Sequence, residues 1–322
     1  MMIDFVKMHG LGNDFVLIDD FSQEIELSSE QVALLCDRRF GIGADGVILV
    51  RPSQTAGCTA YMHYVNSDGS LSAMCGNGVR CFAKYLVDRG YVNASSRHFV
   101  ADTLAGQRPV SFEVDEKEKL SIATVDMGIP EFVPEKIPTA LAANATTMQG
   151  VPFIREAVPD SPWKGLSFTC VSMGNPHAVC FIEDWSELPS DLFYEGAEKS
   201  LESLDLPHVG RFFEGHPVFP EKANIEFASV SREGIRVRVF ERGCGETLAC
   251  GTGACATVVA ASLTGRSKRQ STVFLRGGSL QVLWDDNNHV MMTGTATEVY
   301  SGSIDLSGGC TISPLNPPFV TP

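Results

Sequence analysis

The 322-residue sequence lacks the long hydrophobic runs of a membrane protein and the cysteine spacing of a zinc site. No apolar run approaches the ~20 residues of a spanning helix, and no cationic N-terminal region precedes an apolar stretch as in a signal peptide. The ten cysteines include no Cys-x2-Cys pair and the seven histidines are scattered, which argues against a bound metal. We therefore expect reduced thiols, a cytoplasmic location and no metal.

Positive charge is also scarce. The chain has 25 Lys and Arg residues against 39 Asp and Glu, which gives a net charge of −14 at pH 7. The densest basic stretch, residues 266–269, is typical of a solvated turn. Nucleic acids and anionic membranes are therefore not expected partners, because no basic surface could neutralise their phosphates.

Two short motifs are the most informative feature that is present. Residues 74–78 are Met-Cys-Gly-Asn-Gly and residues 249–253 are Ala-Cys-Gly-Thr-Gly, and each motif leads into an apolar, helix-like run. The positive end of a helix stabilises a thiolate, and glycines there let an anion approach the backbone. We predict that Cys75 and Cys250 are matched functional thiols flanking one anionic ligand. The other cysteines lack this context and are expected to be structural.

The surroundings of the two motifs repeat in the same order. Asn66 precedes Cys75 by nine positions, and Glu241 precedes Cys250 by nine. Upstream, a Gly-Asn pair at residues 12–13 recurs at residues 174–175. An Ala-Asp pair at residues 44–45 corresponds to an Ala-Asn pair at residues 223–224. An internal repeat of this size predicts two homologous halves, residues 1–128 and 129–298, with a ligand site between them.

Seven short strand-like runs are present in each half. Helices are predicted over residues 30–38, 78–89 and 253–263 and from Trp185 onward. Strands do not alternate with helices, so the predicted fold class is α+β: two pseudo-symmetric, strand-rich, barrel-like domains, each wrapped around a central helix. Residues 130–162, with six prolines, are expected to form an extended insertion, and residues 314–318 a surface tail.

Two further positions carry chemistry. Glu241 and Arg242 follow a strand-like run, and the repeat aligns them with Asn66, which favours a ligand role over a surface ion pair. His177 follows a Gly-Asn-Pro turn, and from the residues alone a neutral structural histidine is equally compatible.

Several segments together resemble the diaminopimelate epimerases, which are amino-acid epimerases that need no cofactor. The resemblance rests on residues 7–15, 41–46, 66–70, 74–81, 173–177 and 241–254. Proline racemase-like relatives share the paired cysteines but usually carry His where Asn77 stands. Two departures are Gly46, where some members carry Gln, and an insertion at residues 135–165 that is longer than in many relatives.

The resemblance implies a homodimer with Tyr300 at its interface and a C-terminal strand near residues 298–303, within a segment (299–322) that would complete the first half. It implies His177 and Glu241 as polar support for the thiols. It also implies substrate contacts at Asn13, Asn66, Gly76, Asn77, Asn175, Asn224, Glu241, Arg242, Gly251 and Thr252.

The expected reaction is inversion at one α-carbon of LL-2,6-diaminopimelate to give the meso form, a step of lysine biosynthesis. One cysteine would remove the α-proton as a thiolate and the other would return a proton from the opposite face. Two alternatives stay open: a proline or hydroxyproline racemase on the same scaffold, and a thiol-based amino-acid-binding or redox-sensing protein.

Overall fold

The computed structural model describes residues 2–306, so Cys310 and the predicted tail at residues 314–318 lie outside the described residues. The strands are β1 (Met2–Gly10), β2 (Asn13–Asp19), β3 (Gly46–Arg51), β4 (Ala60–Asn66), β5 (His98–Asp102), β6 (Arg108–Val114), β7 (Leu120–Asp126), β8 (Ala145–Thr146), β9 (Pro152–Phe153), β10 (Arg155–Glu156), β11 (Phe168–Ser172), β12 (Pro176–Phe181), β13 (Asn224–Val230), β14 (Ile235–Glu241), β15 (Gly245–Glu246), β16 (Gln270–Leu275), β17 (Gly278–Trp284), β18 (Val290–Gly294) and β19 (Thr297–Asp305). The α-helices are α1 (Ser29–Cys36), α2 (Gly76–Asp88), α3 (Leu206–Glu214) and α4 (Gly251–Leu263).

The strand pairing of the first half is repeated in the second. Each strand from β1 to β7 pairs with the next strand of the chain. The pairings β2–β3 and β4–β5 are parallel, and the other four are antiparallel. The series β11, β12, β13, β14, β16, β17 and β18 follows the same sequence of antiparallel and parallel pairings. This confirms the predicted α+β class with two pseudo-symmetric, strand-rich halves.

Helices α2 and α4 are the buried centres of the two halves. Eleven of the 13 residues of α2 are buried and ten of the 13 of α4. A helix that is apolar on nearly all sides is stable only when protein surrounds it. The cysteine motifs therefore lie at the starts of helices whose positions the strands fix.

Two strand pairings join the halves. Strand β7 pairs antiparallel with β18, from Asp126 opposite Met291 to Ala123 opposite Gly294. Strand β19 pairs antiparallel with β1 along nearly its whole length, with Met2 opposite Asp305. The last described strand of the chain thus belongs to the sheet of the first half.

Two parts of the helix prediction were wrong. The helix expected from Trp185 onward is replaced by two 3-10 turns, Trp185–Glu187 and Ser190–Leu192. They are separate because Leu188 precedes Pro189 and is extended. Helix α3 was not predicted, although Asp205 caps it and a proline stands in its first turn. Its Gly210 is required by packing, since a Cβ there would lie 2.5 Å from the Cβ of Phe240.

The proline-rich insertion contains one 3-10 turn, Pro134–Lys136, and short β-structure that includes the β8–β9 hairpin. Within residues 2–306, no helix is long and apolar enough to cross a membrane.

Candidate active site

Each motif cysteine is the N-cap residue of a buried helix. Cys75 has extended backbone angles, and its Sγ accepts a hydrogen bond from the Gly78 N–H at 3.5 Å. Cys250 has the same conformation, and its Sγ accepts from the Gly253 N–H at 3.3 Å. Both sulfur atoms therefore lie at the positive end of a helix, in the place usually taken by a capping oxygen.

The two helix N-termini meet at one methionine. A Cβ on Gly76 would lie 2.7 Å from the Met292 Cε, and a Cβ on Gly251 would lie 3.1 Å from the Met292 Sδ. Only glycine lets both backbones approach this side chain so closely. The two cysteine turns therefore lie on either side of Met292, which brings the halves together at the motifs.

In the first half, a short polar chain leads to the sulfur. The Asn13 Nδ2 donates to Asp45 Oδ2 at 2.6 Å, and its Oδ1 accepts from the Asn77 Nδ2 at 3.1 Å and from the Cys75 Sγ at 3.5 Å. The Asn77 Nδ2 also donates to the Ala249 carbonyl at 3.1 Å. Because Ala249 directly precedes Cys250, Asn77 connects the surroundings of both thiols.

In the second half, the corresponding chain is longer and ends in the core. The Thr252 Oγ1 lies 3.4 Å from the Cys250 Sγ and accepts from the Asn175 Nδ2 at 3.3 Å. The Asn175 Oδ1 lies 3.1 Å from the His177 Nε2, and the His177 Nδ1 lies 2.6 Å from Glu226 Oε1. The Asn175 oxygen can only accept, so the His177 Nε2 carries a proton and donates it to that oxygen. The short contact between His177 Nδ1 and the Glu226 carboxyl group then requires one more proton, which lies between these two atoms. The His177 and Glu226 side chains are fully buried.

Glu241 lies beside Cys250. Its Oε1 accepts from the Thr247 Oγ1 at 2.5 Å, and burial raises the pKa of its carboxyl group although hydrogen bonds from Thr247 and Cys250 act in the opposite direction. His177 and Glu241 therefore both belong to the surroundings of the second thiol.

Burial also raises the pKa of both thiols. The pKa of Cys75 rises to about 11, and that of Cys250 rises well above the usual range, where Glu241 and Glu226 raise it further. The backbone N–H groups of Gly78 and Gly253 lower these pKa values, but desolvation outweighs them. The sequence had indicated only the lowering effect of the helix terminus.

The other predicted binding residues lie around this centre. The Asn224 Nδ2 donates to the Pro176 carbonyl at 2.9 Å, and its Oδ1 accepts from the Arg242 N–H at 3.0 Å. The Arg242 Nη1 donates to the Glu221 carbonyl at 3.1 Å. Asn224 thus connects the start of β12, which carries His177, with the turn after β14, which carries Arg242.

Among the described residues, the side chains of two predicted residues form no hydrogen bond with the network of the thiols. Asn66, at the end of β4, donates from its side chain to the Ser70 Oγ at 3.1 Å. Tyr300 lies on β19, packs edge-on against Phe5 and donates to the Ile42 carbonyl at 3.3 Å. Tyr300 is therefore separated from the thiols by strand β1.

Three polar residues of the site were not singled out from the sequence as functional. They are Arg80, Glu226 and Asp45. Arg80 interrupts the apolar run at the start of α2, and unlike Lys84 and Asp88 further along the helix it is completely buried. Glu226 is the one carboxylate of an apolar strand, and such isolated charges are a usable signal for a buried functional group. Asp45 was recognised only as a landmark of the repeat.

Sequence comparison identifies relatives of the whole chain. The family model described as diaminopimelate epimerase matches residues 5–133 and 169–299, and the unmatched interval coincides with most of the proline-rich insertion. A diaminopimelate epimerase of Synechococcus elongatus is 46% identical over 312 residues, covering 95% of this chain and 100% of its own. Another, from Desulfitobacterium hafniense, is 43% identical over 304 residues, covering 93% and 97%.

Solved structures share the fold at low identity. A phenazine biosynthesis protein of the PhzF family from Bacillus anthracis has a TM-score of 0.62 at 16% identity, covering 95% of this chain and 100% of its own. A hydroxyproline epimerase from Agrobacterium vitis has a TM-score of 0.61 at 15% identity, covering 95% and 93%. At such identity these likenesses show the fold alone.

Proposed function

The chain belongs to the diaminopimelate epimerase family and is an isomerase, and we propose that Cys75 and Cys250 perform its proton transfers. The substrate is LL-2,6-diaminopimelate and the product is its meso form. The observation that supports these roles is the matched pair of N-capping thiols, which lie on either side of Met292 at the junction of the two halves.

The reaction requires two acid–base groups on opposite faces of one α-carbon. One cysteine, as a thiolate, removes the α-proton, and the other, as a thiol, donates a proton to the opposite face. In the reverse direction the roles exchange, which is why two similar groups are needed. Two thiolates in one small site repel each other, so the pair holds one proton and titrates as a unit.

The starts of α2 and α4 suit the reacting carboxylate. Their first N–H groups have no partners within the helices and lie at the positive ends of the dipoles. We assign the reacting carboxylate to the backbone at Gly76, Asn77, Gly251 and Thr252. Donors arranged in advance in this way stabilise the charge that develops on the carboxylate by roughly 3–4 kcal/mol each.

The other end of the substrate is assigned to the polar residues around this centre. Asn66, Asn175, Asn224 and Arg242 would hold the distal carboxylate, Glu241 would hold an ammonium group, and Asn13 would orient the first thiol. The substrate would then lie between the halves 1–128 and 129–298, with residues 299–322 assigned to the first half. The pairing of β19 with β1 supports that assignment for the described part.

The experiment is proton NMR of the reduced protein with LL-diaminopimelate in D2O. Loss of an α-proton signal with appearance of the meso product is expected, whereas proline in a parallel tube should remain unchanged. Each single-cysteine variant, Cys75→Ala and Cys250→Ala, should lose inversion by about 10²–10⁴-fold. Each variant should still exchange the α-proton with solvent on the face of its remaining cysteine. The two variants should therefore exchange the α-proton of different stereoisomers. Normal turnover by either variant would contradict the proposed roles.

Two facing thiols can also form a disulfide. We expect diamide to inactivate the wild-type protein and dithiothreitol to restore it, with the substrate protecting against oxidation. Mass spectrometry of the oxidised protein should show a bond between Cys75 and Cys250. Full activity after diamide treatment would show that the thiols do not face each other.

A homodimer in the cytoplasm is the proposed form of the protein. Tyr300 is 44% exposed and its neighbour Val299 on the same strand is 54% exposed, which leaves apolar side chains of β19 for contact with a second copy. Gel filtration should show a dimer for the wild type and a monomer for Tyr300→Asp, and an unchanged elution volume would contradict this interface.

A further inference from the structure

Arg80 is a completely buried charge without an opposite charge bonded to it. It lies on α2 and has an exposure of 0%. Its Nη2 donates to the Asn77 Oδ1 at 2.9 Å and its Nε to the Thr295 carbonyl at 3.1 Å. Its Nη1 lies 3.4 Å from the Gly76 carbonyl and 3.7 Å from the Met292 Sδ. Within residues 2–306 no carboxylate forms an ion pair with it, although buried arginines are almost never left without one.

The chain forms a slot of matching shape for this guanidinium. A Cβ on Gly10 would lie 2.8 Å from its Nη2, and a Cβ on Gly294 would lie 3.2 Å from its Nε. Both glycines belong to strands, β1 and β18, where glycine is otherwise unfavourable. Such a slot, in the core and next to a cysteine motif, indicates that the cation has a role beyond packing.

The titratable groups that face Arg80 are thiols. They are Cys75 and Cys81 on its own helix and Cys255 on α4. Burial raises the pKa of Cys81 and Cys255 to about 12, and both are completely enclosed. Cys75 is partly exposed at the junction of the halves. The positive charge therefore acts on one thiol that can take part in the reaction.

The two functional thiols have different electrostatic surroundings. Cys75 is faced by Glu241 from β14, which raises its pKa, by Arg80 from α2, which lowers it to a smaller extent, and by the phenol of Tyr64 from β4. Glu241 faces both thiols, so Arg80 and Glu226 are the charges that distinguish them. Cys250 is faced by two carboxylates, Glu241 and Glu226, and among the described residues the main charged influences on its pKa include no cation. A nearby cation favours a thiolate and nearby carboxylates disfavour it.

We propose that Arg80 is a positioning residue of the epimerase that orients Asn77 and makes Cys75, rather than Cys250, the thiol that ionises first. This proposal rests on the roles proposed above for the two thiols. It assigns the first negative charge of the pair to the N-terminal half of the molecule.

Arg80 can orient Asn77 because the oxygen and the NH2 group of the Asn77 side chain have different partners. Arg80 only donates, so its hydrogen bond fixes the oxygen of the amide on its own side. The NH2 group then faces Asn13 and the Ala249 carbonyl. Without Arg80, the amide could turn, and the bond to the residue before Cys250 would be lost.

The test measures alkylation by iodoacetamide against pH, with mass spectrometry following Cys75 and Cys250 separately. Because the two thiols titrate as a coupled pair, the midpoint of each profile reports the pH at which the negative charge of the pair appears on that thiol, whereas access of the reagent changes only the plateau. In the wild type, the Cys75 midpoint should lie at least one pH unit below that of Cys250. A lower midpoint for Cys250 would overturn the proposal without any variant.

Arg80→Met should raise the pH of the Cys75 midpoint. At a fixed pH below the midpoint, alkylation should slow about tenfold for each pH unit by which the midpoint rises. The kcat of this variant should fall by at least about 30-fold with little change in KM, because Asn77 loses its orientation. An Arg80→Met variant that is folded by circular dichroism and keeps the wild-type Cys75 midpoint would overturn the proposal.

Arg80→Lys separates charge from orientation. It should recover most of the alkylation rate but little of kcat, since an ammonium supplies charge without the planar set of donors. Recovery of kcat without recovery of the alkylation rate would overturn the electrostatic part of the proposal.

Cys255→Ala is the matched control, because it perturbs the same buried region without removing a charge. It should leave the Cys75 midpoint unchanged. A change in midpoint as large as that of Arg80→Met would mean that packing, and not charge, sets the midpoint, and would overturn the electrostatic role. Failure of the proposed function itself would be recognised separately, by normal turnover in Cys75→Ala.

Discussion

The two halves share a backbone and differ in the groups around the sulfur. Both have the same strand pairings and a cysteine that caps a buried helix. Around Cys75 the polar chain ends at Asp45, whose side chain is 41% exposed and pairs with Arg38. Around Cys250 it ends at Glu226, which is fully buried and pairs with His177. The repeat therefore fixes where the two thiols lie, and the residues that differ between the halves determine the charges around each thiol.

The matched glycines at the helix starts offer the strongest test of this difference. A Cβ on Gly253 would lie 2.8 Å from Glu226 Oε1, whereas a Cβ on Gly78 would lie 3.3 Å from the Ile48 Cδ1. Gly253→Ala should therefore destabilise the fold by about 1–3 kcal/mol and displace the Glu226–His177 pair. Gly78→Ala should stay within about 1 kcal/mol of the wild type, since the gain in helix propensity offsets a small adjustment of Ile48.

Urea unfolding and turnover of both variants measure this contrast. We expect turnover to fall about 100-fold in Gly253→Ala and less than tenfold in Gly78→Ala. Equal losses would show that the buried carboxylate does not distinguish the two helix starts.

The residues two positions after each cysteine should also differ. Asn77 makes hydrogen bonds to Asn13, Arg80 and the Ala249 carbonyl, whereas the Thr252 hydroxyl makes two long contacts. At about 0.8 kcal/mol for each of three lost bonds, Asn77→Ala should lower kcat about 50-fold. At about half of that energy for each long contact, Thr252→Ala should lower it about fourfold. Steady-state kinetics checks this, and a larger loss in Thr252→Ala would reverse the comparison.

The carboxylates at the ends of the two polar chains should follow the same order. Glu226→Gln changes the fully buried partner of the His177 Nδ1, so we expect a loss of about tenfold in kcat. Asp45→Asn changes a half-exposed group, and a loss of about twofold is expected. Steady-state kinetics of both variants checks this order, and a larger loss in Asp45→Asn would reverse it.

The smallest expected effect is a change in Tm at the contact between His289 and Asp126, beside the β7–β18 pairing that joins the two halves. His289 bonds to Asp126 at 2.8 Å, and this hydrogen bond and the charge of Asp126 raise the pKa of the histidine. A raised pKa stabilises the fold below the ordinary pKa of about 6.5, and the contribution disappears as the pH rises through the folded value. His289→Gln should therefore lower Tm by no more than about 2 °C at pH 5.5 and not at pH 8.5. If the Tm of His289→Gln differs from that of the wild type by the same amount at both pH values, the loss of stability comes from packing and not from the charge of His289.

The repeat and the motifs were visible in the sequence because their signals are local. Glycines directly after a cysteine, or an asparagine in a Gly-Asn turn, stand next to the residues that they serve. These landmarks indicated two similar strand-rich halves, whereas the pairing of the strands and the hydrogen bonds of Asn13 and Asn175 were not predicted. The fold class could therefore be predicted before the strands were seen.

Arg80, Glu226 and α3 depend on partners that are distant in sequence. The Arg80 guanidinium bonds to the Thr295 carbonyl, 215 positions away, and no local pattern indicates that contact. Gly210 would argue against a helix by propensity, yet its contact with Phe240 requires it. The balance between burial and the helix terminus at the thiols also depends on tertiary packing, which is why the sequence indicated only one of the two effects.

The pairing of β19 with β1 has a consequence for synthesis on the ribosome. Strand β1 leaves the exit tunnel first, but its partner, which ends at Asp305, is among the last described residues to be made. At typical translation rates the interval is on the order of tens of seconds. During that time one edge of β1 is open, so the first half cannot close its sheet as it emerges, and nascent chains depend on chaperones or on speed to keep that edge from pairing with a neighbour.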